Sequence, residues 1–135
     1  TLFPYTPLFR SKEGAMIDRS DVNRPLLTAA ALLGAAGVAL TAQGVHASQT
    51  NSLIAGAFLL VHAPVLLGLS LLVRNRLAQL AAYVLLVALL LFSGDLVALD
   101  QLHHSLFPLA APLGGAGLML GWVMVAVSAW VGWRK

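Results

Sequence analysis

From Pro25 to Val73 the chain carries no formal charge: the 49 residues between Arg24 and Arg74 contain no Asp, Glu, Lys or Arg. A soluble domain averages about one charged residue in four, so a run of this length cannot surface a water-soluble fold. One membrane helix needs about 20 apolar residues, which makes the run too long for one span and long enough for two. The polar knot Ser48-Gln49-Thr50-Asn51-Ser52 supplies the break. A first span over 26–47 follows, with Pro25 ahead of it at a position where a missing N–H costs nothing. A second span covers 53–73 and closes on Arg74-Asn75-Arg76.

The remainder reads the same way, with a third span over 77–99 and a fourth over 109–133. Of the whole chain, 59% is apolar and 10% charged, with a mean hydropathy of +0.87. That composition excludes a cytosolic domain, a disordered chain and a nucleic-acid binder. The absence of cysteine excludes disulfides, thiol catalysis, iron–sulfur clusters and covalent c-type haem. Continuous apolar runs rich in Leu and Ala favour helix over alternating strand, and an open sheet leaves backbone groups unpaired in lipid. The predicted fold class is an all-α membrane protein, four transmembrane helices in a compact bundle.

Arg19 and Arg24 precede the first span, Arg74 and Arg76 join the second to the third, and Arg134 and Lys135 end the chain. The other two loops carry no Lys or Arg, so the positive-inside rule places both termini of this multi-pass chain in the cytoplasm. Trp130 and Trp133 fit an interfacial anchor on that side. The first span with Val45-His46-Ala47 also imitates a signal peptide with a small-residue cleavage site, although its apolar run is long for one. Residues 1–11, TLFPYTPLFRS, resemble the translation of a sequencing adapter, with Pro7 where Thr is expected. Residues 1–15 are therefore set aside as an artefactual or disordered tail. Met16 is then the expected start of a single domain, 16–135.

Helices in lipid associate by close packing, so small residues mark contact faces. Gly34 and Gly37 lie among alanines of the first span, and Gly114, Gly115, Gly117 and Gly121 lie in the fourth, where Gly117-Leu-Met-Leu-Gly121 matches GxxxG. These faces serve either the bundle or a homodimer.

Few polar residues enter the spans. His62 sits within the second, two residues before Pro64. Its readings are a proton relay or ligand site, or a neutral histidine bonded to a neighbouring helix or to the carbonyl freed at Pro64. Asp95 is the only in-span acid, either a protonation site or an interfacial group satisfied by backbone or by His46, which closes the first span on the same side. Asp100, His103 and His104 follow in the outer loop. With His46 and Asp95 they could form an oxygen-and-imidazole metal site of the kind zinc accepts. Non-covalent haem fits less well, because His46 and His62 lie at different depths. No GxSxG, HExxH, P-loop or dinucleotide fingerprint is present, so neither an enzyme nor a cofactor is expected.

These landmarks resemble domain-of-unknown-function family 423. Ala42-Gln43-Gly44-Val45-His46 is similar to that family's segment ending the first span, and Val61-His62-Ala63 to its Tyr-His-Ala segment. Leu91-Phe92-Ser93-Gly94-Asp95-Leu96, Ala111-Pro112-Leu113-Gly114-Gly115 and Gly121-Trp122 resemble its remaining signatures. The variants at 93–96 and 106–112 resemble an alphaproteobacterial branch. Val61 stands where Tyr is usual and Val45 where Ala is, which leaves the aromatic contacts near His62 open. The resemblance implies a four-span bacterial inner-membrane protein and no activity. The expected function is a structural or interaction component within the bilayer. Its expected partners are lipid, a second copy or another membrane protein, and not nucleic acid. The alternatives are a transport or proton-linked component using His62 and Asp95, and an outer-face metal or haem binder.

Overall fold

The structure, a computed structural model, describes residues 21–133. The readings on residues 1–15, Met16, Arg19, Arg134 and Lys135 fall outside them. Four helices follow in order: α1 (Arg24–His46), α2 (Thr50–Ser70), α3 (Arg76–Leu102) and α4 (Ala110–Ser128). Each is long and apolar enough to cross a membrane; at 1.5 Å per residue they reach roughly 28 to 40 Å. The described residues hold no strand, only an isolated antiparallel bridge between Asn75 and Trp133.

Helix α1 packs on α2, α2 on α3 and α3 on α4. The inner pair is accordingly the most enclosed, with 44% of the apolar stretch of α2 and of α3 buried against 17% for α1 and 22% for α4. Leu59, Leu66, Leu69, Leu85, Leu89 and Leu118 form the centre of the core, and Leu26 and Ala30 extend it to α1. The outward leucines and valines face lipid, where hydrophobic exclusion between helices is absent and contact quality decides association.

That contact is close at both flanking seams. A Cβ at Gly44 of α1 would stand 2.6 Å from the backbone N of Leu53, and one at Gly56 of α2 would stand 2.6 Å from that of Thr41. At the other seam a Cβ at Gly114 would stand 2.6 Å from the N of Phe92, and Gly117 and Gly121 lie over Ala88 and Leu85. The GxxxG face is thus filled by α3 of the same chain. Gly37 meets Leu60, whereas Gly34 and Gly115 have ordinary room.

Both termini of the described chain lie at one end of the bundle. The Asn23 N–H donates to Ser70 O (2.9 Å), joining the start of α1 to the end of α2, and the Arg76 N–H donates to Gly132 O (2.9 Å), joining the start of α3 to the chain after α4. Arg24, Arg74 and Arg76 are exposed at this basic end.

The helix limits differ from the spans expected from hydropathy, each for a local reason. Asn23 caps α1 through Leu26 N, so the helix starts at Arg24 rather than 26. The knot residues Thr50, Asn51 and Ser52 form the first turn of α2, ahead of the expected 53, because Asp100 supplies their cap. Helix α3 runs past 99 to Leu102 and stops where His103 turns left-handed (φ 60°). Helix α4 ends at Ser128 rather than 133, and Gly132 (φ 89°) turns the chain back towards Asn75.

Candidate functional site

Most of the buried polar side chains lie in three layers, and each layer joins helices. The first is the middle of the bundle, where His62 is 6% exposed on α2. Its Nδ1 bonds Phe58 O (2.8 Å) and its Nε2 accepts from Trp122 Nε1 on α4 (3.3 Å). A carbonyl takes only a donor and an indole N–H gives only a donor, so these partners assign the neutral tautomer protonated at Nδ1. The carbonyl that Pro64 frees is that of Leu60, four residues earlier; His62 bonds Phe58 O instead, the acceptor on its own preceding turn. Phe58 stacks on the imidazole (5.8 Å between centroids, 10° between planes) and meets Phe92 of α3 at 4.6 Å. The aromatic neighbours of His62 therefore come from 58 and 122, while Val61 faces outward at 62% exposure.

Asp95 and Asp100 form the second layer, at the end opposite the arginines. Helix α4 begins after Leu109, whose φ of 69° and apolar side chain give it no cap. Asp95, 2% exposed on α3, fills that role: Oδ1 accepts from Leu106 N (2.7 Å) and Oδ2 from Ala111 N (3.1 Å). Helix α2 begins after Gln49, which also makes no side-chain cap. Asp100 serves it, Oδ2 accepting from Ser52 N (2.6 Å) and Oδ1 from Asn51 Nδ2 (2.8 Å). A carboxylate at a helix N-terminus satisfies open N–H groups and complements the helix dipole. Gln101 Nε2 and Gln43 Nε2 both donate to Gln49 Oε1 at this end (3.0 and 3.2 Å).

The third layer lies at the basic end. Asn75, 1% exposed, caps α3 by accepting from Ala78 N (3.0 Å) and donates to Ser128 O (2.7 Å) and Val131 O (3.2 Å). Asn23 Nδ2 donates to Gln79 Oε1 (2.6 Å) and to Tyr83 OH (3.1 Å), and Gln79 Nε2 donates to Leu69 O (2.7 Å). The side-chain oxygens of Ser52 and Ser93 are buried without a partner among the described residues.

The residues singled out from sequence are thus dispersed. The possible His46–Asp95 bond is not formed: His46 is exposed at the end of α1, and Asp95 points into the α3–α4 connection. Asp100 turns to α2 rather than to His103 and His104, since α3 ends at Leu102 and both histidines stand exposed beyond it. His104 Nδ1 bonds Ser105 O (3.0 Å). Among the described residues no group of three His, Asp or Glu is placed to hold a metal ion. No hydrogen bond joins His62 to Asp95; their partners lie in separate layers.

Sequence reasoning gave no structural role to Asn23, to Asn75 or to Trp122, the last named only within the Gly121-Trp122 signature. An asparagine directly before an apolar helical run is a capping signal, and both positions carry it. Trp122 carried no such signal, since its pairing with His62 spans 60 residues. Among curated proteins and among solved structures, none matches this chain. The family model described as "Protein of unknown function (DUF423)" matches residues 33–115, from the middle of α1 to the first turns of α4, including His62, Asp95 and Asp100. A match over more than half of a chain built from four membrane-spanning helices makes it a member of that family.

Proposed function

We propose that this protein is a non-enzymatic structural or interaction component of a bacterial inner membrane, with both termini cytoplasmic. The observation that carries this reading is where the polar groups point. His62 spends one ring nitrogen on Phe58 O of its own helix and the other on Trp122 of α4, Asp95 spends its oxygens on the α3–α4 connection and the start of α4, and Asp100 spends both of its own on the start of α2. A relay residue needs a free position from which a proton can arrive and leave. A proton reaching Nε2 of His62 would have to displace the Trp122 indole first. The cytoplasmic assignment rests on Arg24, Arg74 and Arg76 sharing one end, while the opposite loops carry no Lys or Arg. The partner is a second copy or another membrane protein.

The purified full chain, reconstituted in vesicles enclosing a pH-sensitive dye, should pass no more protons than empty vesicles under an imposed gradient. Flux abolished by His62→Gln or Asp95→Asn would instead establish the proton-linked alternative. Affinity purification in mild detergent should recover a reproducible membrane partner or a discrete oligomer. Reporter fusions after Lys135 and within residues 103–107 should report opposite sides, the former cytoplasmic.

A further inference from the structure

The described charges are segregated by end. Arg24, Arg74 and Arg76 share the basic end with one acid, Asp21, a local balance of three minus one, or +2. Asp95 and Asp100 sit at the other end with no Lys or Arg beside them among the described residues. The aromatic side chains that belong at a membrane interface gather at the basic end too, Trp130 at 88% exposure and Trp133 at 56%.

Helix α3 carries this surface into the bilayer. Arg76, Leu80, Tyr83 and Val87 are spaced four, three and four apart, which sets them on one helix face, and all four are exposed. Two turns below Arg76 that face enters an apolar groove of about 420 Å³ between α3 and α4, lined by Tyr83, Val84, Val87, Leu91, Leu113 and Gly117. From Tyr83 to Leu91 it runs roughly 12 Å at helical rise. Gly117 keeps α4 close over Ala88 and contributes no side chain to fill the groove. The bond from Asn23 to Tyr83 OH brings the start of α1, and so Arg24, towards the same mouth.

We propose that this surface is a binding site for an anionic glycerophospholipid. Its phosphate lies at Arg76 and Arg24, and one acyl chain descends past Leu80 and Tyr83 into the α3–α4 groove. Charge complementarity selects the headgroup, and the continuity of the arginine-headed face with an apolar groove selects a lipid over a free anion. The proposal does not depend on which side of the membrane the basic end faces.

Native mass spectrometry of the full chain in detergent, titrated with sixteen-carbon phosphatidylglycerol or phosphatidylcholine, tests it. Retention should favour phosphatidylglycerol, and eight-carbon phosphatidylglycerol should be held less well because it cannot fill the groove. Arg76→Gln should weaken phosphatidylglycerol retention about five-fold, and adding Arg24→Gln by a similar factor again. Val87→Trp, which occupies the groove without changing charge, should weaken the long-chain lipid and erase the difference between chain lengths. Inorganic phosphate should not compete at concentrations comparable with the lipid. Equal retention of the two headgroups overturns the proposal. So does an Arg74→Gln effect as large as that of Arg76→Gln, which would mean diffuse attraction, and so does chain-length independence in the wild type, which needs no folded variant to observe.

Discussion

At the basic end α1 and α3 begin under asparagines of their own, Asn23 and Asn75; at the opposite end α2 and α4 begin under carboxylates that belong to α3. The requirement is the same at both ends. The first N–H groups of a helix have no partner within it, and near lipid there is little water to supply one. A cap from the preceding residue forms with the helix itself. A borrowed cap forms only after two helices have docked, so the first turns of α2 and α4 depend on α3 being in place. The two acids of α3 thus act first as fasteners for its neighbours.

Removing a borrowed cap should cost more than removing a local one. Asp95→Ala should cause the largest loss, about 3 kcal/mol, because it strips two bonds to a carboxylate and leaves the Leu106 and Ala111 N–H groups unpaired. Unfolding in mixed micelles with increasing denaturing detergent measures this, and limited proteolysis should show new cleavage between 103 and 111. An unfolding midpoint equal to wild type would mean that α4 starts without help from α3. Asn75→Ala should cost less, about 2 kcal/mol, for the cap to Ala78 and the two bonds to the chain after α4. Asn75→Asp separates those roles, since it can still accept from Ala78 N but can no longer donate to Ser128 O or Val131 O. Partial recovery is expected, and full recovery would assign the whole effect to the local cap.

The same distinction governs what could be read from the chain. Span number and the shared end of both termini follow from hydropathy and the position of arginines, because each is a sum over many residues. The Gly44–Leu53 and Gly56–Thr41 approaches were less legible, since glycine is frequent in membrane helices and only the pairing identifies the seam. Asp95 was legible as costly but not as a cap: its donors lie 11 and 16 residues away across a turn set by Leu109 at positive φ, a conformation an apolar residue rarely signals. Asp100 is read more naturally with His103 and His104, its sequence neighbours, than with Ser52, 48 residues earlier. In both cases an isolated acid invites a chemical role when its partner is a backbone N–H, which has no signature in the side-chain sequence.

Asp100→Asn alters the less enclosed of the two borrowed caps. Asp95 is almost fully enclosed, whereas Asp100 is only partly covered, with Gln101 beside it exposed at the edge of the bundle. Water can therefore replace a lost acceptor at Ser52 N more readily than at Ala111 N. An asparagine at 100 keeps one carbonyl oxygen for the Ser52 N–H and turns its amide towards Asn51, whose own amide can flip to offer its oxygen. The expected loss is the smallest of the three, below that of Asn75→Ala, and confined to the first turn of α2. Amide exchange at Asn51 to Leu53 should quicken, while exchange in the middle of α2 around His62 stays as in the wild type. If exchange instead quickens along the whole of α2, its start is not a separable unit, and α2 forms only as part of the docked α2–α3 pair.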